Sequence, residues 1–203
     1  MIAIVDYGVG NLFSLKSSFL SVGADAVVTD DAEILKRADH IVLPGVGAFG
    51  DAVKKLRESG LYQVVIDEAR GGKPLLGICL GMQMLLEKSY EYGEHEGLGL
   101  IQGSIRPIGD VIPSNYKVPH IGWNALHFPK QKHPLFKNVK DGDYVYFVHS
   151  YHGTDCSENL AATTEYGGTL TAAVAQGSIM GCQFHPEKSG DVGLKILKAF
   201  CEL

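Results

Sequence analysis

The sequence predicts an α/β protein: a mixed, mostly parallel central sheet flanked by helices, with an additional antiparallel part in the C-terminal half. Two observations carry this. Up to Lys88, short β-rich runs alternate with stretches of helical periodicity, the βαβα rhythm of a parallel sheet covered on both faces. From Gly99 to Phe184 helical periodicity fades, and Gly, Pro, Tyr and β-branched residues dominate, as in strands joined by turns. No repeat, low-complexity run or linker interrupts residues 1–203, so one domain is expected.

In order, Ile2 to Val5 reads as a first strand ending in "DYGVGN". Asn11 is placed to cap a helix with Leu12, Leu15, Phe19 and Leu20 on one face. A strand over Ala26 to Val28 and a short helix near Asp31 to Arg37 follow. Ile41 to Leu43 forms the third strand and runs into "PGVGAFG". Asp51 to Ser59 and Leu61 to Ala69 read as helices broken at Gly60. Leu75 to Ile78 is a fourth, apolar strand, followed by a helix from Leu80 to Lys88. Beyond it, "IRPIG", "YVYFVHSY", "TLTAAVAQ" and "IMGCQFHP" read as strands. An amphipathic helix from Asp191 to Cys201 closes the chain, its inward stripe expected at Leu194, Leu197 and Cys201.

Composition narrows the function classes. A net charge of −5 offers no electrostatic footprint for nucleic acid or an anionic membrane. No apolar run approaches the ~20 residues that cross a bilayer, and the start lacks the basic region and cleavage site of a signal peptide. The four cysteines, Cys79, Cys156, Cys182 and Cys201, form no C-x-x-C pair, so neither a zinc site nor a disulfide framework is expected. A cytoplasmic, reducing setting is the expectation.

Cys79 ends the fourth strand inside Gly77-Ile78-Cys79-Leu80-Gly81. Strand ends are where open α/β sheets collect ligands, and G-x-nucleophile-x-G is the pattern of a nucleophile elbow with Cys in place of Ser. The following helix N-terminus favours a thiolate. A buried cysteine between strand and helix is the alternative reading. A cysteine nucleophile needs a base, and the base needs an orienting group. His185 and Glu187, in "GCQFHPEKSG", meet both needs, because residues i and i+2 of an extended segment share a side. Pro186 between them resists helix and stiffens the segment.

"GICLGMQ" with a late "HPE" resembles the class I (triad) glutamine amidotransferases. "DYGVGNLFSLKSSF", "PGVGAFGDA", "VPHIGWN", "YFVHSY" and "CQFHPEKSG" resemble the branch whose glutaminase subunit serves a separate cyclase in histidine biosynthesis. Sister families often have His where Met82 stands. The resemblance implies a flavodoxin-like amidotransferase fold and hydrolysis of L-glutamine by Cys79, with His185 as base and Glu187 as its orienter. It implies an oxyanion hole built from Leu80 and from Gly45 or Val46 of the "PGVG" loop. Gln83, Glu91, Ser150, Tyr151 and Gly47 are the implied substrate contacts. With one domain filling 203 residues, the ammonia is expected to pass to a (β/α)8-barrel cyclase subunit. The implied contacts with it are Asn11, Pro119, Trp123 and Lys188. Trp123, the only tryptophan, suits an interface hot spot, with a core aromatic as the other reading. No cofactor or metal is implied.

Other signals are weaker. "GVGAFG", Gly45 to Gly50, matches G-x-G-x-x-G, but the acidic residues ~20 positions on, Asp67 and Glu68, fall in a helical stretch. His149 and His152 are spaced to face opposite ways on a strand, unlike a metal pair. His40 and His120 read as satisfied structural histidines, and Cys156 and Cys182 as inert. A stand-alone cysteine hydrolase and a nucleotide-binding module are the competing function classes.

Overall fold

The computed structural model describes residues 1–203. In chain order the elements are β1 (Ile2–Val5), α1 (Leu12–Ser21), β2 (Ala26–Thr29), α2 (Ala32–Arg37), β3 (His40–Gly45), α3 (Phe49–Glu58), α4 (Leu61–Arg70), β4 (Leu75–Cys79) and α5 (Leu80–Leu85). Then come β5 (Leu86–Ser89), β6 (His95–Glu96), β7 (Ile101–Pro107), β8 (His120–Ala125), β9 (Tyr144–His149) and β10 (Tyr151–Thr154). The last are β11 (Leu160–Glu165), β12 (Thr169–Gln176), β13 (Ile179–Cys182) and α6 (Gly190–Cys201).

Seven strands form the main sheet in the order β11-β12-β13-β4-β3-β1-β2. From β13 to β2 every pairing is parallel, and β12 and β11 extend the sheet antiparallel. The period-two alternation of a strand sends neighbouring side chains to opposite faces. In β1, Ala3 and Val5 enter one apolar layer with residues of α2 to α5. Ile2 and Ile4 enter the other, with Leu15 and Phe19 of α1 and Ile196, Leu197 and Phe200 of α6. Both faces are thereby covered, as a parallel sheet requires. A second sheet, β10-β7-β5-β6, and a two-stranded ribbon, β8–β9, stand beside the carboxyl end of β4.

Local signals explain most boundaries. Asn11 Oδ1 accepts from Ser14 N–H at 3.3 Å and caps α1, and Asp31 caps α2 through Glu33 N–H. Gly60, at φ 78°, separates α3 from α4. Other expectations need correction. The helix from Leu80 stops at Leu85 instead of reaching Lys88, because Leu86 to Ser89 pair with β7 and β6; sheet pairing overrides helical propensity there. "YVYFVHSY" splits at Ser150 into β9 and β10, which join different sheets. Strands β8 and β11 were not among the runs that read as strands. Leu20 is exposed rather than core-facing. The inward stripe of α6 is Gly193, Ile196, Leu197 and Phe200, with Leu194 and Cys201 only partly covered. No helix is long and apolar enough to cross a membrane.

Candidate active site

Cys79 closes β4 at φ 54°, ψ −112°, a conformation a non-glycine residue holds only when its surroundings impose it. The two flanking glycines impose it by allowing close approach. A Cβ on Gly81 would lie 1.9 Å from the Leu43 carbonyl oxygen, and one on Gly77 would lie 2.7 Å from that of Gly81. The elbow therefore packs backbone against backbone, and Gly45 of β3 stands in register beside Cys79. Asp67 and Glu68 lie inside α4, so the glycine run after β3 lacks the strand-end acid of a dinucleotide site.

His185 follows β13, the parallel neighbour of β4, and so arrives beside the elbow. Its backbone N–H donates to Tyr146 O (3.0 Å), and Ser189 Oγ–H donates to its carbonyl (2.6 Å). Its Nδ1 meets Glu187 Oε1 at 2.8 Å, with both side chains only 5 % exposed. Pro186 does not prolong an extended segment as expected. It opens a single 3-10 turn, Pro186–Lys188, where a missing N–H costs nothing, and this turn brings the carboxylate to the ring. A carboxylate only accepts, so Nδ1 carries a hydrogen and Nε2 is left for the thiol. Burial alone lowers the His185 pKa, but hydrogen bonds and charge from Cys79 and Glu187 outweigh it and push it up to about 9. These partners thus favour the imidazolium form of His185.

A pocket of about 340 Å³ opens over Cys79 and His185, a size suited to a small metabolite. Val46, Gly47, Leu80, Gln83, Glu91, Ser150 and Tyr151 line it, so these expected residues are brought together. Gly45 and Glu187 lie outside it and border, with Asn11, a cavity of about 10 Å³ on the far side of His185. Gln83 is buried, and its Nε2 donates to Tyr151 O (3.2 Å) and Gln183 Oε1 (2.9 Å). Its own oxygen is free for a ligand's donor. Glu91 Oε2 accepts the Phe49 N–H at 2.6 Å, which ties the loop carrying Glu91 to the first turn of α3.

Pro119 and Lys188 sit at the pocket rim, and Asn11 is exposed. Trp123 is 52 % exposed, which removes the core-aromatic reading. It shares an exposed apolar face with Ile121 and Tyr144 on the ribbon whose Val148 carbonyl lies 3.9 Å from Cys79 Sγ.

Three further residues join this site: Gln183, Val148 and His149. Gln183 stands in the same "CQFHPE" run as His185 and Glu187, just past β13. His149 Nδ1–H donates to Tyr151 O (2.8 Å), its Nε2 meets His120 Nδ1 (3.0 Å), and burial pushes its pKa down to about 3. His120 is satisfied by His149 and Asn124. His40 is not: its Nε2 is buried without a partner. Burial raises the thiol pKa of both Cys156 and Cys182, which leaves them protonated and unreactive. No group of three His, Cys, Asp or Glu side chains is arranged to hold a metal ion.

Known proteins resemble this chain over nearly its whole length. The model of the glutamine amidotransferase class-I family matches residues 3–202. This chain belongs to that family. Among similar amidotransferases is the imidazole glycerol phosphate synthase subunit HisH of Wolinella succinogenes, 47% identical over 205 residues, 100% of each chain. The protein of the same name from Sulfurimonas denitrificans is 50% identical over 202 residues, covering 98% of this chain and 97% of its own. Among solved structures, a glutamine amidotransferase superposes with a TM-score of 0.75 at 20% identity, covering 99% of this chain and 100% of that one. PurLQS from Thermotoga maritima gives 0.73 at 20% identity over 99% and 97%. At such identities these two structures speak for the amidotransferase fold alone.

Proposed function

We propose that this chain is the glutaminase subunit of an imidazole glycerol phosphate synthase, hydrolysing L-glutamine to glutamate and ammonia. The observation that carries the reading is the Cys79 elbow beside the His185–Glu187 pair in one small pocket. Cys79 Sγ attacks the side-chain amide carbon as His185 Nε2 takes the thiol proton. The tetrahedral oxyanion is held by the Leu80 N–H and by an N–H of the loop at Gly45 and Val46. His185 then gives the proton to the leaving nitrogen, releasing ammonia and leaving a thioester on Cys79. Water, deprotonated by His185, hydrolyses the thioester to glutamate and restores the thiol. Glu187 keeps Nδ1 protonated throughout and favours the imidazolium. Gln83, Glu91, Gly47 and the backbone at Ser150 and Tyr151 bind the substrate's amino-acid end.

The ammonia serves a separate (β/α)8-barrel cyclase subunit, which seats against Asn11, Pro119, Trp123 and Lys188. There it reacts with a phosphoribulosyl aminoimidazole-carboxamide nucleotide to give imidazole glycerol phosphate and an aminoimidazole-carboxamide ribotide. Sealing the two sites keeps water from the ammonia. The exposed apolar face at Trp123 beside the pocket supports this docking. Residues 1–203 act as one cytoplasmic domain. The test is glutamate release by this chain with a barrel cyclase and its nucleotide. Cys79→Ala should lower it by about 10⁴-fold or more; a Cys79→Ala protein that still hydrolyses glutamine contradicts the assignment.

A further inference from the structure

We propose that Gln183 acts on the nucleophile directly: its side-chain amide, oriented by Gln83, donates a hydrogen bond to Cys79 Sγ and favours the attacking thiolate. The inference rests on Cys79 being the nucleophile and adds a second partner for its sulfur, beside His185.

The orientation follows from counting donors. The Tyr151 carbonyl can only accept, and Gln83 reaches it at 3.2 Å, so the Gln83 atom there is Nε2. The other hydrogen of that nitrogen points to Gln183 at 2.9 Å, so the Gln183 atom there is the oxygen. The Gln183 nitrogen is thereby turned to the sulfur, 3.8 Å away. Neither amide can flip without setting nitrogen against nitrogen or oxygen against oxygen, which is how such assignments are decided. Gln183 is wholly buried, and a primary amide is costly to bury unless bonded. An apolar residue of similar length would fill the same space more cheaply. It follows directly on β13, and its backbone is fixed by Gln183 N–H donating to Ala172 O (2.8 Å), which holds the amide beside the elbow. The sulfur is thus approached by an imidazole that exchanges protons and by an amide that cannot. The amide stabilises charge without competing as a base.

The experiment is the pH dependence of Cys79 alkylation by iodoacetamide, followed by mass spectrometry of the Cys79 peptide, together with glutaminase kinetics. Gln183→Met should move the alkylation midpoint up by about one pH unit, a roughly tenfold slower reaction at neutral pH, with kcat recovering at higher pH. Gln183→Glu keeps an acceptor for Gln83 but sets a carboxylate at the sulfur, and should move the midpoint further up. In the unaltered protein, the Gln183 side-chain amide proton resonance should titrate with the alkylation midpoint, a readout that needs no variant to fold. Alkylation profiles that superimpose on that of the unaltered protein, or an amide resonance that ignores the titration, overturn the inference. Glutamine hydrolysis surviving in Cys79→Ala would instead remove the nucleophile assignment itself, so the two failures are distinguishable.

Discussion

Cys79 and Cys182 close neighbouring parallel strands of one sheet, β4 and β13, with Cys182 in register beside Ile78. Their environments are opposite. Cys182 keeps the paired strand conformation to the end of β13, is wholly buried, and has its thiol pKa raised by that burial. Cys79 leaves its strand through a left-handed turn that brings the sulfur to a pocket, within reach of an imidazole and an amide. The residue type and the sheet are shared, so neither makes a nucleophile. Backbone conformation and partners do, and the comparison can be broken by removing either.

The largest expected effect comes from the turn. Gly81→Ala drives a methyl into the Leu43 carbonyl at 1.9 Å, where backbone has no cheap way to yield. It should cost about 3 kcal/mol or more of stability and remove the elbow, as thermal unfolding and loss of Cys79 alkylation would report. A protein that melts as before would mean the close packing of β3 against α5 is not what holds the turn.

A smaller effect is expected from the partner's partner. Glu187→Gln keeps the shape but removes a charge that holds the His185 pKa up near 9. Glutaminase rate should fall by about 10² to 10⁴, and the alkaline limb of the pH–rate profile should move down from about pH 9. The sign of the stability linkage agrees. The contribution from the raised His185 pKa is complete below its ordinary 6.5 and is lost as pH rises through about 9. The variant should therefore lose less stability than the unaltered protein over that interval. An unshifted alkaline limb would remove Glu187 from the tuning of His185.

The same contrast shows where sequence reading reached and where it stopped. The βαβα half was legible because its signals are local: Asn11 and Asp31 caps, Gly60 as a breaker, apolar strands of four to six residues. The elbow was legible from its glycines, and His185 with Glu187 from their nearness in sequence, although a 3-10 turn joins them instead of the extended segment expected. What was hidden depends on distant partners. Leu86 carries on the helical pattern of α5 but pairs with Ile101, and the tertiary contact decides. β11, "LAATTE", has only two residues with strong strand preference, Thr163 and Thr164, and its neighbour β12 organises it. On α6, Ile196 and Phe200 face the sheet where Leu194 and Cys201 were expected, a rotation set by packing against α1. Gln183 lies in the same short run as His185 and Glu187 but carries no spacing signal, since the chain bends at Gln183 and Phe184. Its meaning appears only once Gln83, a hundred residues earlier, fixes which end of its amide meets the sulfur.

The central claim is that one cysteine of four is made reactive by its turn and its partners. It is tested most directly by treating the protein with a glutamine-mimicking chloroketone at neutral pH and mapping every modified cysteine by mass spectrometry, with and without glutamine. The account predicts modification at Cys79 alone, suppressed by glutamine. Labelling of Cys156 or Cys182 at a comparable rate, or a Cys79 that stays unmodified, would contradict it.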